Sequence, residues 1–126
     1  MSTGTALSAV TATEPQELLV TLLVDDATNE VTADPSVLRV PYGFRGYIRW
    51  RIDHPNAVFE ETPIVFNDGP RTVPPPPTEK TCHVWWENAN SGSEVDIYSY
   101  ITQLQHGLRH VSPDPTVEND PPGFVA

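Results

Sequence analysis

The stretch "FRGYIRWRID" (44–53) decides the fold class. Its side chains alternate: Ile48, Trp50 and Ile52 point one way, and Tyr47, Arg49, Arg51 and Asp53 point the other. A period of two is that of a strand with one face in a core; a helix would repeat its apolar positions at spacings of three and four. Turn formers bracket the stretch. "SVLRV" (36–40) reads as a short strand closed by Pro41 and Gly43, and "HPN" (54–56) turns the chain after Asp53. Outward from there the pattern repeats. "QELLVTLLVDD" (16–26) is apolar at nearly every position, as in a strand covered at least partly on both sides, and "DDATNE" behind it is dense in turn residues. "TPIVF" (62–66) is a strand ending at "NDGP". Pro74 to Pro77 form a polyproline segment that cannot belong to a central strand. "KTCHVWWEN" (80–88) sets Cys82, Val84 and Trp86 against His83 and Trp85. In "EVDIYSYITQL" (94–104) the aliphatic residues Val95, Ile97 and Ile101, with Ser99, are expected to face inward. Asp96, Tyr98, Tyr100 and Thr102 are then expected to face outward.

Short strands separated by Gly, Pro and Asn turns, with no long helical period, predict an all-β fold: an antiparallel, immunoglobulin-like β-sandwich of about seven strands. Trp50, midway along its strand, suits such a core, although the Cys pair of antibody domains is missing. The 126 residues are read as one domain. It comprises an N-terminal arm (1–15) rich in Ser, Thr, Ala and Gly, a sandwich (16–111), and an acidic, Pro-rich tail (112–126).

The formal charge of −10, with a single lysine at position 80, argues against nucleic acid and against anionic membrane surfaces, both of which are bound through Lys and Arg. "LLVTLLV" (18–24) is too short to span a bilayer, and "MSTGTALSAV" lacks the basic start of a secretory signal. The single cysteine, Cys82, excludes an intramolecular disulfide, and an unpaired thiol fits a reducing, cytoplasmic setting.

Catalytic signatures are missing: there is no G-x-S-x-G elbow, phosphate loop or H-E-x-x-H. Glu60 and Glu61 are adjacent on a strand, which separates carboxylates that acid–base chemistry needs to converge. A non-enzymatic protein without a cofactor is expected. A copper site would need Cys and two His around one ion, yet Cys82 and His83 are strand neighbours and point apart. His106 and His110 have a zinc-like spacing only on a helix, and Gly107 speaks against one. The tail carboxylates could offer oxygen ligands to Ca²⁺, but their spacing matches no EF-hand loop.

The residues that do suggest function lie on outward strand faces: Tyr47, Arg49 and Arg51; His83 and Trp85; Tyr98 and Tyr100. If these strands are neighbours they form an aromatic and arginine-rich patch, the composition of binding hot spots. The patch is either covered by the chain itself, for which "PPPP" (74–77) is a candidate, or it binds a protein partner or a second copy. Arg39, Arg45, Arg49 and Arg51 fall close together in an otherwise acidic chain, so carboxylates must answer them, from this chain's tail or from another copy's. A metal- or carbohydrate-binding sandwich using loop His, tail carboxylates or exposed aromatics is the alternative function.

The tail "SPDPTVENDPPG" (112–123) carries two Asp-Pro pairs, which supply stiff, defined turns. It is expected to dock on its own sandwich or a neighbour's, with Val117 as apolar anchor, Asp114 closing a turn, and Glu118 or Asp120 pairing with Arg49 or Arg51. The phrase "DPTVENDPP" (114–122) behind a β-rich domain resembles the bacterial DP-EP family, and "VLRVPYGFRGYIRWRID" (37–53) is compatible with it. The second dipeptide here is Asp120-Pro121 where the family has Glu-Pro, which keeps the charge and the proline. The resemblance implies a small bacterial β-sandwich whose tail is part of the fold. It implies no catalytic residues.

Overall fold

The first strand pair forms as its turn residues dictate. β1 (Gln16–Asp25) and β2 (Glu30–Asp34) make an antiparallel hairpin across residues 26–29. The Asp25 carbonyl accepts from the Thr28 and Asn29 amides at 3.3 and 2.7 Å, and its carboxylate accepts from the Ala27 amide at 2.9 Å. Asn29 sits at φ 60°, a left-handed conformation that Asn tolerates well. The computed structural model describes residues 16–67, 73–110 and 114–123, the side chain of Arg109 excepted.

Seven more strands follow: β3 (Val37–Val40), β4 (Arg45–Asp53), β5 (Phe59–Phe66), β6 (Thr81–Glu87), β7 (Asp96–Leu104), β8 (Arg109–His110) and β9 (Thr116–Asn119). They form two packed sheets, of order β6-β4-β1-β2-β8 and β3-β9-β7-β5, so the chain is an all-β sandwich. Two expectations need correction. The described residues contain nine strands where about seven were expected, and the sheets are mixed, with β1–β4, β2–β8 and β3–β9 pairing in parallel. The cause is the connectivity. From β2 onward every connection crosses from one sheet to the other. Strands adjacent in sequence are therefore not adjacent in a sheet, and the tight-turn rule that makes neighbours antiparallel applies only to β1–β2.

Alternation then builds the core. Val20, Leu22, Ile48, Trp50, Cys82 and Trp86 of the first sheet are fully buried against Val40, Ile64, Tyr100 and Val117 of the second. An aromatic cluster fills the centre: Trp50 meets Tyr100 at 5.5 Å, Phe66 meets Trp86 and Tyr100 at 5.5 Å each, and Trp86 meets Tyr98 at 5.6 Å. Such pairs contribute about 0.5–1.5 kcal/mol each beyond burial of area. Burial pushes the Cys82 thiol up to about 12, with a backbone hydrogen bond at Trp50 opposing. The Tyr100 phenol is also pushed up to about 12 by burial, eased by the Trp50 indole and reinforced by Cys82. Trp50 Nε1 and Tyr100 Oη nevertheless make no well-formed hydrogen bond.

Two glycines are demanded by geometry. Gly43, at φ 84°, is the third residue of the turn closed by the Phe44 amide on the Pro41 carbonyl at 3.1 Å, the place where a type II turn takes glycine. At Gly46 a Cβ would stand 2.0 Å from the Gln16 carbonyl oxygen, so the start of the β1–β4 pair needs a residue without one.

Candidate functional site

The outer face of the first sheet carries the sequence-predicted residues of β4 and β6. The register sets Tyr47 opposite Trp85, Arg49 opposite His83 and Arg51 opposite Thr81. On the other side of β4, Glu17, Leu19 and Thr21 lie alongside Tyr47, Arg49 and Arg51. Tyr47 touches two rings edge-on, His83 at 5.2 Å and Trp85 at 5.1 Å. Trp85 remains 42% exposed, and Nε1 of its indole donates to Glu87 at 2.7 Å. Arg49 donates through Nε and Nη2 to one Glu17 oxygen at 3.0 and 2.8 Å, and Arg45 faces Glu87 at 3.6 Å. Arg51 is exposed, with no ion pair among the described residues. His83 Nδ1 is buried without a hydrogen-bond partner. Leu19 and Leu23 extend the face across β1 at 45% and 40% exposure, so β1 is not covered there as its sequence suggested.

Tyr98 and Tyr100 do not belong to this surface. They sit on β7, in the other sheet, and point inward: Tyr100 is 0% exposed and Tyr98 packs on Trp86. The outward positions of β7 are Ile97, 58% exposed, and the half-buried Ile101. The period of two was right and its phase was reversed. Ring area outweighs the aliphatic residues, because a Tyr ring spanning the gap between sheets buries more surface than Ile and meets Trp50 and Phe66 there. The proline run lies between β5 and β6, with Pro74, Pro75 and Pro77 exposed.

The tail forms a second constellation. β9 lies between β3 and β7, with Val117 0% exposed. Asp120 pairs with Arg39, through both Nε and Nη2, and not with Arg49 or Arg51, because β9 runs alongside β3 and brings Asp120 past its end. Arg49 is answered by Glu17 instead. Glu118 accepts from the Thr116 hydroxyl at 3.0 Å. Asp114 accepts from Asn67 at 2.6 Å and faces His110 Nε2 at 2.9 Å. The arm (1–15) and residues 112–113 and 124–126 of the tail lie outside the described residues.

Three asparagines that the sequence did not link to docking of the tail close this region. Asn119 Oδ1 accepts from the Trp86 indole at 2.8 Å. Asn88 Nδ2 donates to the Val40 and Asp120 carbonyls, each at 2.9 Å. Asn90 Nδ2 donates to the Glu94 and Asn119 carbonyls at 2.8 and 3.1 Å. All three are buried. "NANSGS" (88–93) shows only loop and turn chemistry in the sequence, which does not mark Asn88 and Asn90 as buried.

The metal readings find no support in the geometry. His106 is exposed at φ 67° in the β7–β8 turn, while His110 contacts Thr102 and Asp114. Among the described residues no group of three His, Cys, Asp or Glu could hold a metal ion. A shallow depression of about 440 Å³ lies over the β5 irregularity, lined by Glu60, Glu61, Thr62 and the β7 end. Among the described residues no helix is long and apolar enough to cross a membrane. Comparison of the chain with protein families, curated proteins and solved structures finds no match.

Proposed function

We propose that this protein is a non-enzymatic binding module that works through the outer face of its first sheet. The supporting observation is the continuous set formed by Trp85, Tyr47 and His83 in ring contact, flanked by Arg49, by the exposed Arg51, which has no ion pair among the described residues, and by the exposed Leu19. Such a surface offers apolar area, ring edges and a guanidinium free to meet a carboxylate, the combination that carries binding energy in protein interfaces. The ligand class is a protein surface with carboxylates, either another protein or a second copy of this one. An immunoglobulin-like character and kinship with the DP-EP family belong to the same proposal. The first is supported by Trp50 packed between the sheets in mid-strand, the second by "DPTVENDPP". A cytoplasmic setting fits the unpaired, buried Cys82.

The test is the double variant Trp85→Ala, Arg51→Ala. It should keep the wild-type melting temperature while losing the wild-type oligomer mass or its captured partners. A variant that keeps both mass and captured partners refutes the reading. The exposed Trp85 beside Tyr47 also favours a second reading, a sugar-stacking platform, which predicts quenching of tryptophan emission by a soluble oligosaccharide in wild type and none in Trp85→Ala.

A further inference from the structure

A sandwich has four sheet edges, and each is a row of unpaired backbone groups that a second chain could extend unless something blocks it. Three of the four edges here are blocked. β8 has two residues, and β3 has four, with Pro35 before it and Pro41 directly after it. β5 carries Glu60, Glu61 and Pro63 and an irregular register between Phe59 and Ile64. β6 has none of these devices beyond its first residue, Thr81, which Thr78 bridges. It is seven residues long, regular, free of Pro and Lys, and bears one formal charge, Glu87. Lys80, just before it, turns inward to the carbonyls of His54 and Ala57. Among the described residues β4 is its only strand neighbour.

The ladder shows which groups are free. The Ile52 amide donates to the Lys80 carbonyl at 2.9 Å, and the Asn88 amide to the Phe44 carbonyl at 3.0 Å. In an antiparallel pair hydrogen-bonded positions alternate, so Cys82, Val84 and Trp86 bond to β4. Thr81, His83, Trp85 and Glu87 then lie on the outward side; Thr81 is already engaged there, bridging Thr78 and donating its amide to the Thr78 hydroxyl at 3.2 Å, so the open groups are those of His83, Trp85 and Glu87.

We propose that a second copy of this chain pairs with β6 antiparallel about a two-fold axis at Val84, joining the two first sheets into one. In that register His83 faces Trp85 of the second copy in the two central hydrogen-bonded pairs, as the geometry requires, and at either end Glu87 comes opposite Thr81, whose amide stays with Thr78. Glu87 thus meets a hydroxyl and not its own counterpart. Arg45, Arg49 and Arg51 stand one strand behind, so two chains of net charge −10 repel each other least along this edge. The symmetry would also merge the two Tyr47–Trp85–His83 clusters into one aromatic stripe. The inference rests on the proposed function for the side of the molecule used, and names the partner.

Sedimentation velocity of the full chain across micromolar concentrations tests it. Wild type should sediment as a dimer. His83→Pro removes an outward amide and no bond to β4, so it should sediment as a monomer with cooperative unfolding intact. Val84→Cys in a Cys82→Ala background should form an oxidised dimer, since facing residues of a non-hydrogen-bonded pair approach to about 4.5 Å, within disulfide reach. A monomeric wild type, or a dimer with no cross-link at Val84→Cys, overturns the edge pairing, and the cross-link decides even if His83→Pro fails to fold. A dimer lost in Trp85→Ala, Arg51→Ala but kept in a folded His83→Pro also overturns it, while leaving the face-binding function standing.

Discussion

Asn88→Ala should be among the most damaging polar substitutions in the molecule. Asn88 is 4% exposed, and its side chain serves three backbone groups at once: it donates to the Val40 and Asp120 carbonyls at 2.9 Å each and accepts from the Asn90 amide at 3.0 Å. Alanine leaves the Asp120 carbonyl and the Asn90 amide without these partners, and takes one of two bonds from the Val40 carbonyl, which keeps the Asp120 amide at 2.9 Å, in a region too closed for water to replace them freely. Each of the two buried groups left unpaired costs about 1–3 kcal/mol and the lost second bond on Val40 about 1 kcal/mol; because they share one site their losses overlap, giving roughly 3–6 kcal/mol in all. That is a large part of the 5–15 kcal/mol by which domains are typically stable. In a chain of this size it corresponds to a fall in Tm of roughly 10–20 °C. Urea unfolding followed by tryptophan emission measures it, since Trp50 and Trp86 are both fully buried. Ser91→Ala, at an exposed position in the same loop, is the control and should stay within about 0.5 kcal/mol of wild type. If Asn88→Ala loses less than about 1 kcal/mol, the asparagines are not what holds the tail against β3, and the account of this region is wrong.

Two further outcomes follow from the same structure. Deleting residues 112–126 removes β9, which among the described residues is β3's only strand partner, along with Val117 and the carboxylate that meets Arg39; calorimetry should show Tm lowered by more than about 10 °C or no cooperative transition, and an unchanged thermogram would sink the docking claim. At alkaline pH the raised Cys82 and Tyr100 values mean that the folded state holds protons the unfolded chain gives up. Their contribution is complete below the ordinary values of 9.0 and 10.0 and is lost as pH rises toward about 12. At pH 10.5 Cys82 alone accounts for about 2 kcal/mol of lost stability, so Cys82→Ala should flatten the decline of urea midpoint between pH 9 and 11; parallel curves for the two proteins would refute this.

How far the sequence could be read differs from strand to strand. In β4 the alternation of Ile48, Trp50 and Ile52 with charged residues leaves one phase open, because arginines cannot enter a core unpaired, and the structure has that phase. β7 has the same period but apolar residues on both faces, so local pattern could not choose, and the aliphatic side was taken where the rings go in. β2 and β9 were missed as strands: each is short, and "TVEN" holds a single apolar residue, too few to display a period. The tail's importance was visible in its Asp-Pro pairs, yet its partner Arg39 was not, since that pairing depends on β3 and β9 running parallel.

What the sequence by itself determined is therefore local: the all-β class, most strand positions, the turns at Asp25–Asn29 and Pro41–Phe44, and the shared face of Tyr47, Arg49 and Arg51. Only the tertiary structure decided which strands pair, which face of β7 is buried, and that Asn88, Asn90 and Asn119 close over the tail. The reason is physical. Side-chain alternation and turn chemistry act over a few residues and are written in the sequence at that place. Backbone ladder bonds are nearly blind to residue type, so once connections cross between sheets, partners are selected by how the whole core packs.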